Sequence, residues 1–548
     1  MGLVLLTATP AAAETGAVTR EVVVLQTSDV HGHVLPWDYF KEEADDVGLA
    51  RAASFVAAMR TQYPHVILVD NGDTIQGTPL TYYFARRDIS RPNPMMAVMN
   101  LMGYDAMTVG NHEYNYGLDV LRRCQDEAAF PFLSANTYET GQAEPSFRPY
   151  IVKEFDGVRI GILGLTTSNI PNWESPENYR GLEFRDTAQE AVRWVRHLRE
   201  VEVCDAVIVN THEGFEVDLK TGEANDSGYE NRAWALLHEV PGVDVVLTGH
   251  AHRNIPPRLV NGVLVSQPGR WGGYVTRIHL LFRQEGDGWV LAEKHGDNIK
   301  MGKKIPADPA IERLIAPYHE QVTAWIRSEI GTAGADFSSD GVFAGDNALL
   351  DLVHTVLRCH TGADMSMVAY LPHAMMTIPA GPITVRDIYR FYIYENTPVT
   401  LAMTGRDIRA ALEHAARFYD RPAWDAEQGE LDIHRQADFR QYNFDTLAGA
   451  SYAIDPTRPP GERVVYLERD GRPLDPDAEY TVAVTNYQAA GGGHYAAFKR
   501  SRVVKTDSAD IRNLIIEYIQ EQKEIVPVTD RNWHLAVPTE VILWEPKK

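Results

Sequence analysis

Five times between residues 21 and 252, a β-rich apolar run stops at residues that bind metals or carry protons. "EVVVLQT" leads to Asp29-Val30-His31, "HVILVDN" to Gly72-Asp73, and "DAMTVG" to Asn111-His112-Glu113. "DAVIVNT" leads to His212-Glu213, and "VDVVLTG" to His250-Ala251-His252. Between these runs lie segments such as "GLARAASFVAAMRTQY" and "AQEAVRWVRHLREV", whose apolar residues recur at three- and four-residue steps, the helical period. Strand alternating with helix predicts an α/β layered domain. Such sheets gather ligands at the carboxyl ends of their strands, so the five clusters are expected to share one crevice.

Carboxylate, amide oxygen and imidazole without thiolate suit Zn, Mn, Fe or Co rather than a structural thiolate zinc site. Cys124, Cys204 and Cys359 are scattered, with no Cys-x-x-Cys spacing, and indicate neither a disulfide framework nor a thiolate centre. Charge narrows the partners. Lys plus Arg number 52 and Asp plus Glu 75, a net charge of −23 that repels nucleic-acid polymers and anionic membrane surfaces. An anionic substrate must therefore be small and drawn in by something locally positive, which two divalent cations would supply.

A chain of 548 residues exceeds what one core supports. Residues 1–13, "MGLVLLTATPAAA", form a short apolar run that ends in small residues, as a signal-peptidase site does, so an exported, periplasmic or secreted protein is expected. No later stretch approaches the roughly 20 apolar residues of a membrane span. The α/β sandwich is expected over 14–305. Residues 306–331 read as a linker helix with Asp308 as its cap and Gly331 as its stop. Helical and strand patterns then alternate over 332–548, predicting a smaller C-terminal α/β domain.

The order Asp-x-His, Gly-Asp, Gly-Asn-His-Glu, His, Gly-His-x-His resembles the calcineurin-like binuclear metallophosphoesterases, and the C-terminal half resembles the 5′-nucleotidase C-terminal domain. The resemblance implies that Asp29, His31 and His252 hold one divalent metal and Asn111, His212 and His250 a second, with Asp73 bridging them. It implies that His112 is catalytic, stabilising phosphoryl charge or protonating the leaving alkoxide. Many members pair that histidine with an Asp three residues on, where this chain has Asn115. An amide cannot serve as the anionic partner, so a less basic His112 is expected.

"GNHEYNYGLD", "VDNGDTIQGTPL" and "WDYF" are similar to the bifunctional 2′,3′-cyclic-nucleotide 2′-phosphodiesterase/3′-nucleotidase branch. In the second domain "RQYNFD" and "TNYQAAGGGHY" resemble the family's base-binding segments. Tyr442 and Tyr487 are the matching rings for a sandwiched nucleobase. Asn443 and Asp445 either contact the ligand or make turn hydrogen bonds, and Gly491 to Gly493 either bring backbone to the ligand or form a plain turn.

The expected function is hydrolysis of nucleoside 2′,3′-cyclic phosphates to 3′-nucleotides and then to nucleosides, by a monomer acting on small nucleotides. A 5′-nucleotidase or UDP-sugar hydrolase of the same family is the alternative. Asn115, and the absence of arginine from "VAYLPHAMMTIPAG" where 5′-nucleotidase-type members carry one, weigh against it. A non-catalytic nucleotide binder would show a lost metal ligand, and all seven positions are filled.

Overall fold

The computed structural model describes residues 18–536, except 173, 220, 222, 224–230, 421–422, 426–429, 433–434, 437 and 508. The apolar stretch 1–13 lies outside these residues. Among the described residues no helix is long and apolar enough to cross a membrane.

The run after Glu21 explains the layering. Side chains alternate along a strand, so Val22 and Val24 face one side and Val23 and Leu25 the other. All four are buried, and a strand apolar on both faces needs cover on both. Val22 and Val24 pack against Ile160, Ile162, Ile208 and Leu247 of a second sheet. Val23 and Leu25 pack beneath the helices Leu49–Gln62, Pro94–Met102 and Pro309–Ile326.

Each sheet has six strands. The first runs Gly288–Lys300, Tyr274–Glu285, Thr19–Thr27, Val66–Asp70, Ala106–Thr108, Phe132–Leu133. The second runs Asn254–Val260, Val263–Pro268, Val245–Thr248, Ala206–His212, Val158–Thr166, Tyr150–Phe155. Helices Thr187–Glu200 and Ala233–Glu239 cover its outer face, completing a helix–sheet–sheet–helix sandwich. The central strands are parallel, so their carboxyl ends emerge along one edge. Buried amides bind the sheets together there. Asn71 Nδ2 donates to Thr211 O and Leu247 O, and Asn210 Nδ2 donates to Asp70 O.

The helix Pro309–Ile326 is capped by Asp308, whose side chain accepts from the Ala310 and Ile311 N–H groups. Its buried face belongs to the N-terminal core. It ends before Gly331, which is a residue of the strand Glu329–Ala333, paired with Gly381–Thr384. Beyond it a five-stranded sheet runs Asp445–Ala448, Met365–Ala369, Glu479–Thr485, Pro398–Thr404, Arg502–Thr506.

The two halves meet over a mixed interface. Tyr82 and Tyr116 join the C-terminal core, and Tyr116 Oη donates to Glu395 Oε1 at 2.9 Å. Glu42 accepts from Arg327 at 2.5 Å and also from Arg386, in the first turn of the helix Val385–Phe391. Phe40 of "WDYF" stacks on Tyr389 in the same seam.

Candidate metal centre

Five of the seven expected ligands sit in left-handed backbone: Asp29 (φ 50), His31 (φ 48), Asp73 (φ 57), His250 (φ 66) and His252 (φ 56). Non-glycine residues adopt this region at a cost of roughly 1–3 kcal/mol each, and hold it only where the surroundings over-determine it. The strand-end turns brace one another. Asp29 N–H donates to Gly72 O at 2.9 Å and His31 N–H to Asp73 O at 2.8 Å. Buried Glu113 accepts from the N–H groups of Asp73, Thr74, Ile75 and Gly110 at 2.6–3.2 Å. At Gly110 a Cβ would stand 2.4 Å from Asp73 Oδ1, so only glycine lets this turn approach.

The result is two overlapping groups that share Asp73. Ligand atoms of Asp29, His31, Asp73 and His252 lie within 4.8 Å of one another, as do those of Asp73, His212 and His250. Asn111 Oδ1 joins the second group, 3.1 Å from His212 Nε2 and 2.9 Å from His250 Nδ1.

The donor chemistry fits divalent cations. His31 Nδ1 faces Gln76 O at 3.1 Å, and His212 Nδ1 faces Asn71 O at 2.6 Å. Carbonyls only accept, so each Nδ1 carries the proton and each neutral ring turns its Nε2 lone pair inward. His212 Nε2 then meets Asp73 Oδ2 at 3.0 Å as well as the Asn111 oxygen. These lone pairs repel unless a cation lies among them, and Asp73 Oδ2 is buried without a directed hydrogen bond. With no metal, a proton on His212 takes that place. Burial opposes it, yet the Asp73 carboxylate raises the imidazole to about 10. Burial lowers His31 well below the usual imidazole range and His252 to about 3, keeping both in the neutral form that binds metals. It also raises Asp29 to about 7, partly offset by His212.

His112 stands at the rim. Its backbone N–H donates to Asp73 Oδ1 at 2.8 Å, and its Nε2 lies 4.0 Å from Asp73 Oδ2. Its Nδ1 contacts Asn115 Oδ1 at 2.6 Å, and Asn115 Nδ2 in turn donates to Glu174 Oε2 at 2.6 Å. The residue in direct contact with the imidazole is thus an amide, and a carboxylate stands immediately behind it.

A cavity of about 290 Å³ joins the cluster to the second domain. Asn111, His112, Asn115, Glu174 and His250 line one side, and Tyr394, Tyr442 and Tyr487 the other. Tyr394, which sequence reasoning missed, lies 6.0 Å from Tyr442, edge to face. Asn443 and Asp445 are not on the wall. Asn443 Oδ1 accepts from Tyr487 Oη at 3.3 Å and its carbonyl accepts from Tyr495 Oη at 2.6 Å, both from a distant segment, while its own N–H makes a turn bond to Arg440 O at 3.0 Å. Asp445 is 2% exposed and accepts from Gln488 Nε2; it opens an edge strand of the five-stranded sheet, and all residues of that strand are buried. Nor do Gly491 to Gly493 reach the cavity. A Cβ on Gly492 would stand 2.5 Å from the Tyr487 ring, so the glycine run makes room for that tyrosine.

The fold and the cluster define a metal-dependent phosphoesterase. Residues 22–254 match the calcineurin-like phosphoesterase family, and residues 328–500 match the 5′-nucleotidase C-terminal domain. The chain belongs to the metallophosphoesterases that combine these two domains.

A 2′,3′-cyclic-nucleotide 2′-phosphodiesterase/3′-nucleotidase of Yersinia enterocolitica is 27% identical, over 95% of this chain and 89% of that protein. The trifunctional nucleotide phosphoesterase protein YfkN of Bacillus subtilis (strain 168) is 28% identical over 98% of this chain, which spans only 40% of YfkN's length. A solved Staphylococcus aureus structure assigned to the 5′-nucleotidases superposes with a TM-score of 0.82 at 26% identity, covering 94% of this chain and 100% of that one.

Proposed function

We propose that this protein opens nucleoside 2′,3′-cyclic phosphates to 3′-nucleotides and then removes the 3′-phosphate. The observation that carries the reading is a cavity that sets a two-metal donor cluster opposite three tyrosines. Asp29, His31 and His252 would hold one cation, Asn111, His212 and His250 the other, and Asp73 both. Bound there, two divalent cations offset phosphate charge and activate water for in-line attack on phosphorus. The tyrosine wall accepts a base on its π-faces, which tolerates base identity. In the first step a water oxygen bonds to phosphorus and the P–O2′ bond breaks; in the second another water oxygen bonds to phosphorus and the P–O3′ bond breaks, releasing inorganic phosphate. Each departing alkoxide takes a proton from His112 Nε2, and the proton lost by the attacking water replaces it, while Nδ1 keeps its own toward Asn115.

The similarity to a Yersinia protein named for this pair of activities supports the choice of substrate. The Staphylococcus structure favours a second reading, a 5′-nucleotidase. Export belongs to the proposal through the stretch ending in Ala11-Ala12-Ala13; a mature protein starting near Glu14 in the extracytoplasmic fraction would bear it out.

The deciding experiment strips the protein of metal, restores Mn²⁺ or Zn²⁺, and follows 2′,3′-cyclic AMP chromatographically beside phosphate release from 3′-AMP and 5′-AMP. Loss of the cyclic substrate through transient 3′-AMP is expected. Preference for 5′-AMP would select the second reading.

A further inference from the structure

Glu174 is not part of any of the five strand-end clusters. It lies on the loop after the strand Val158–Thr166, just past a short turn of helix over Ile170–Asn172. It is 8% exposed, and burial raises its carboxyl above the ordinary range, offset by the donors around it. Those donors account for both oxygens. Oε1 accepts from Ser175 N–H at 2.7 Å and Asn178 Nδ2 at 2.9 Å, and Oε2 accepts from Asn115 Nδ2 at 2.6 Å. No proton on the carboxyl is required, and every partner is one that only an acceptor satisfies.

We propose that Glu174 is a positioning residue for His112. By taking the Asn115 amide N–H it forces Asn115 Oδ1 toward the imidazole, which obliges His112 to carry a proton on Nδ1 and leaves Nε2 for the substrate. An isolated asparagine can present either end of its amide. Turned about, it would offer an N–H to Nδ1 and stabilise the opposite tautomer. The buried carboxylate removes that freedom, so any proton His112 exchanges with substrate passes through Nε2. Glu174 thus supplies, one residue removed, the carboxylate that an Asp at position 115 would supply directly.

The inference rests on the catalytic reading of His112, and its test separates the two. Asn115→Asp, Glu174→Gln and the double variant are made in the full chain, loaded with metal, and assayed on 2′,3′-cyclic AMP and 3′-AMP. Glu174→Gln, whose own amide can turn, should lower kcat about tenfold or more with KM and metal content unchanged. Asn115→Asp alone puts two carboxylates in contact and should lower both kcat and the melting temperature of the metal-free protein. The double variant restores one carboxylate and one amide in exchanged order. It should return kcat to within about threefold of the parent and recover the melting temperature.

An unchanged kcat in Glu174→Gln, or a double variant no better than the product of the single effects, overturns the proposal. If the metal-loaded parent hydrolyses none of these esters, the functional reading fails. The melting-temperature cycle then decides the coupling by itself, with additive shifts overturning it.

Discussion

Asp73 carries the greatest burden of any single residue. It occupies both ligand groups, anchors the His112 backbone, and has one oxygen buried with no directed hydrogen bond. Asp73→Ala should therefore lose both metals in elemental analysis, not one, and lower kcat/KM by about 10³-fold or more. Normal activity with two bound metals would refute the shared role. Glu113 shows the limit of reading by residue type. It lies in "GNHE" and has the chemistry of a ligand or a base, yet its oxygens are consumed by four backbone N–H groups around Asp73. Glu113→Gln would turn an N–H toward some of those donors. It should destabilise the apo protein by about 1–3 kcal/mol and weaken metal retention. Nothing in the linear sequence separates Glu113 from a catalytic acid, because the four N–H groups that claim it come from two different turns.

Among the elements, the strand ends were the most legible part of the chain. A β-branched run that stops at Asp, Asn or His has few structural uses, and parallel strands bring such ends together by geometry alone. Shorter elements were less so. Gly331 looks like a helix stop but serves a strand, since helix end and strand start are separated by two residues here. Asp445 is the clearest case of an element overriding a residue. Its place at the start of the strand Asp445–Ala448 buries the carboxyl and raises it from 3.8 to about 7. Between those values the folded protein holds a proton that the unfolded chain has lost. This contribution is full below the lower value and is lost as pH rises through the upper, with a slope of up to about 1.4 kcal/mol per pH unit. Asp445→Asn should accordingly raise the melting temperature at about pH 8 and change it little at about pH 4. A gain of equal size at both pH values would rule out this account.

At the scale of the whole molecule the substrate cavity belongs to neither domain alone. Its metal side comes from strand ends of the sandwich and its aromatic side from three separated segments of the second domain, held together by a seam that includes Tyr116 and Glu395. Tyr442→Ala should raise KM for nucleotides about tenfold while sparing a small aryl phosphate, as expected if stacking contributes roughly 1–3 kcal/mol per base. Equal losses on both substrates would contradict base stacking. The sequence alone determined the α/β class, the two-part organisation and the set of candidate metal donors, because periodicity and ligand chemistry are local properties written residue by residue. Only the tertiary structure decided which tyrosines share a wall, that Asp445 and Asn443 turn away from it, and that Glu174 stands behind Asn115. Those outcomes depend on contacts between segments far apart in the chain, where burial and hydrogen-bond competition, not residue type, assign the role.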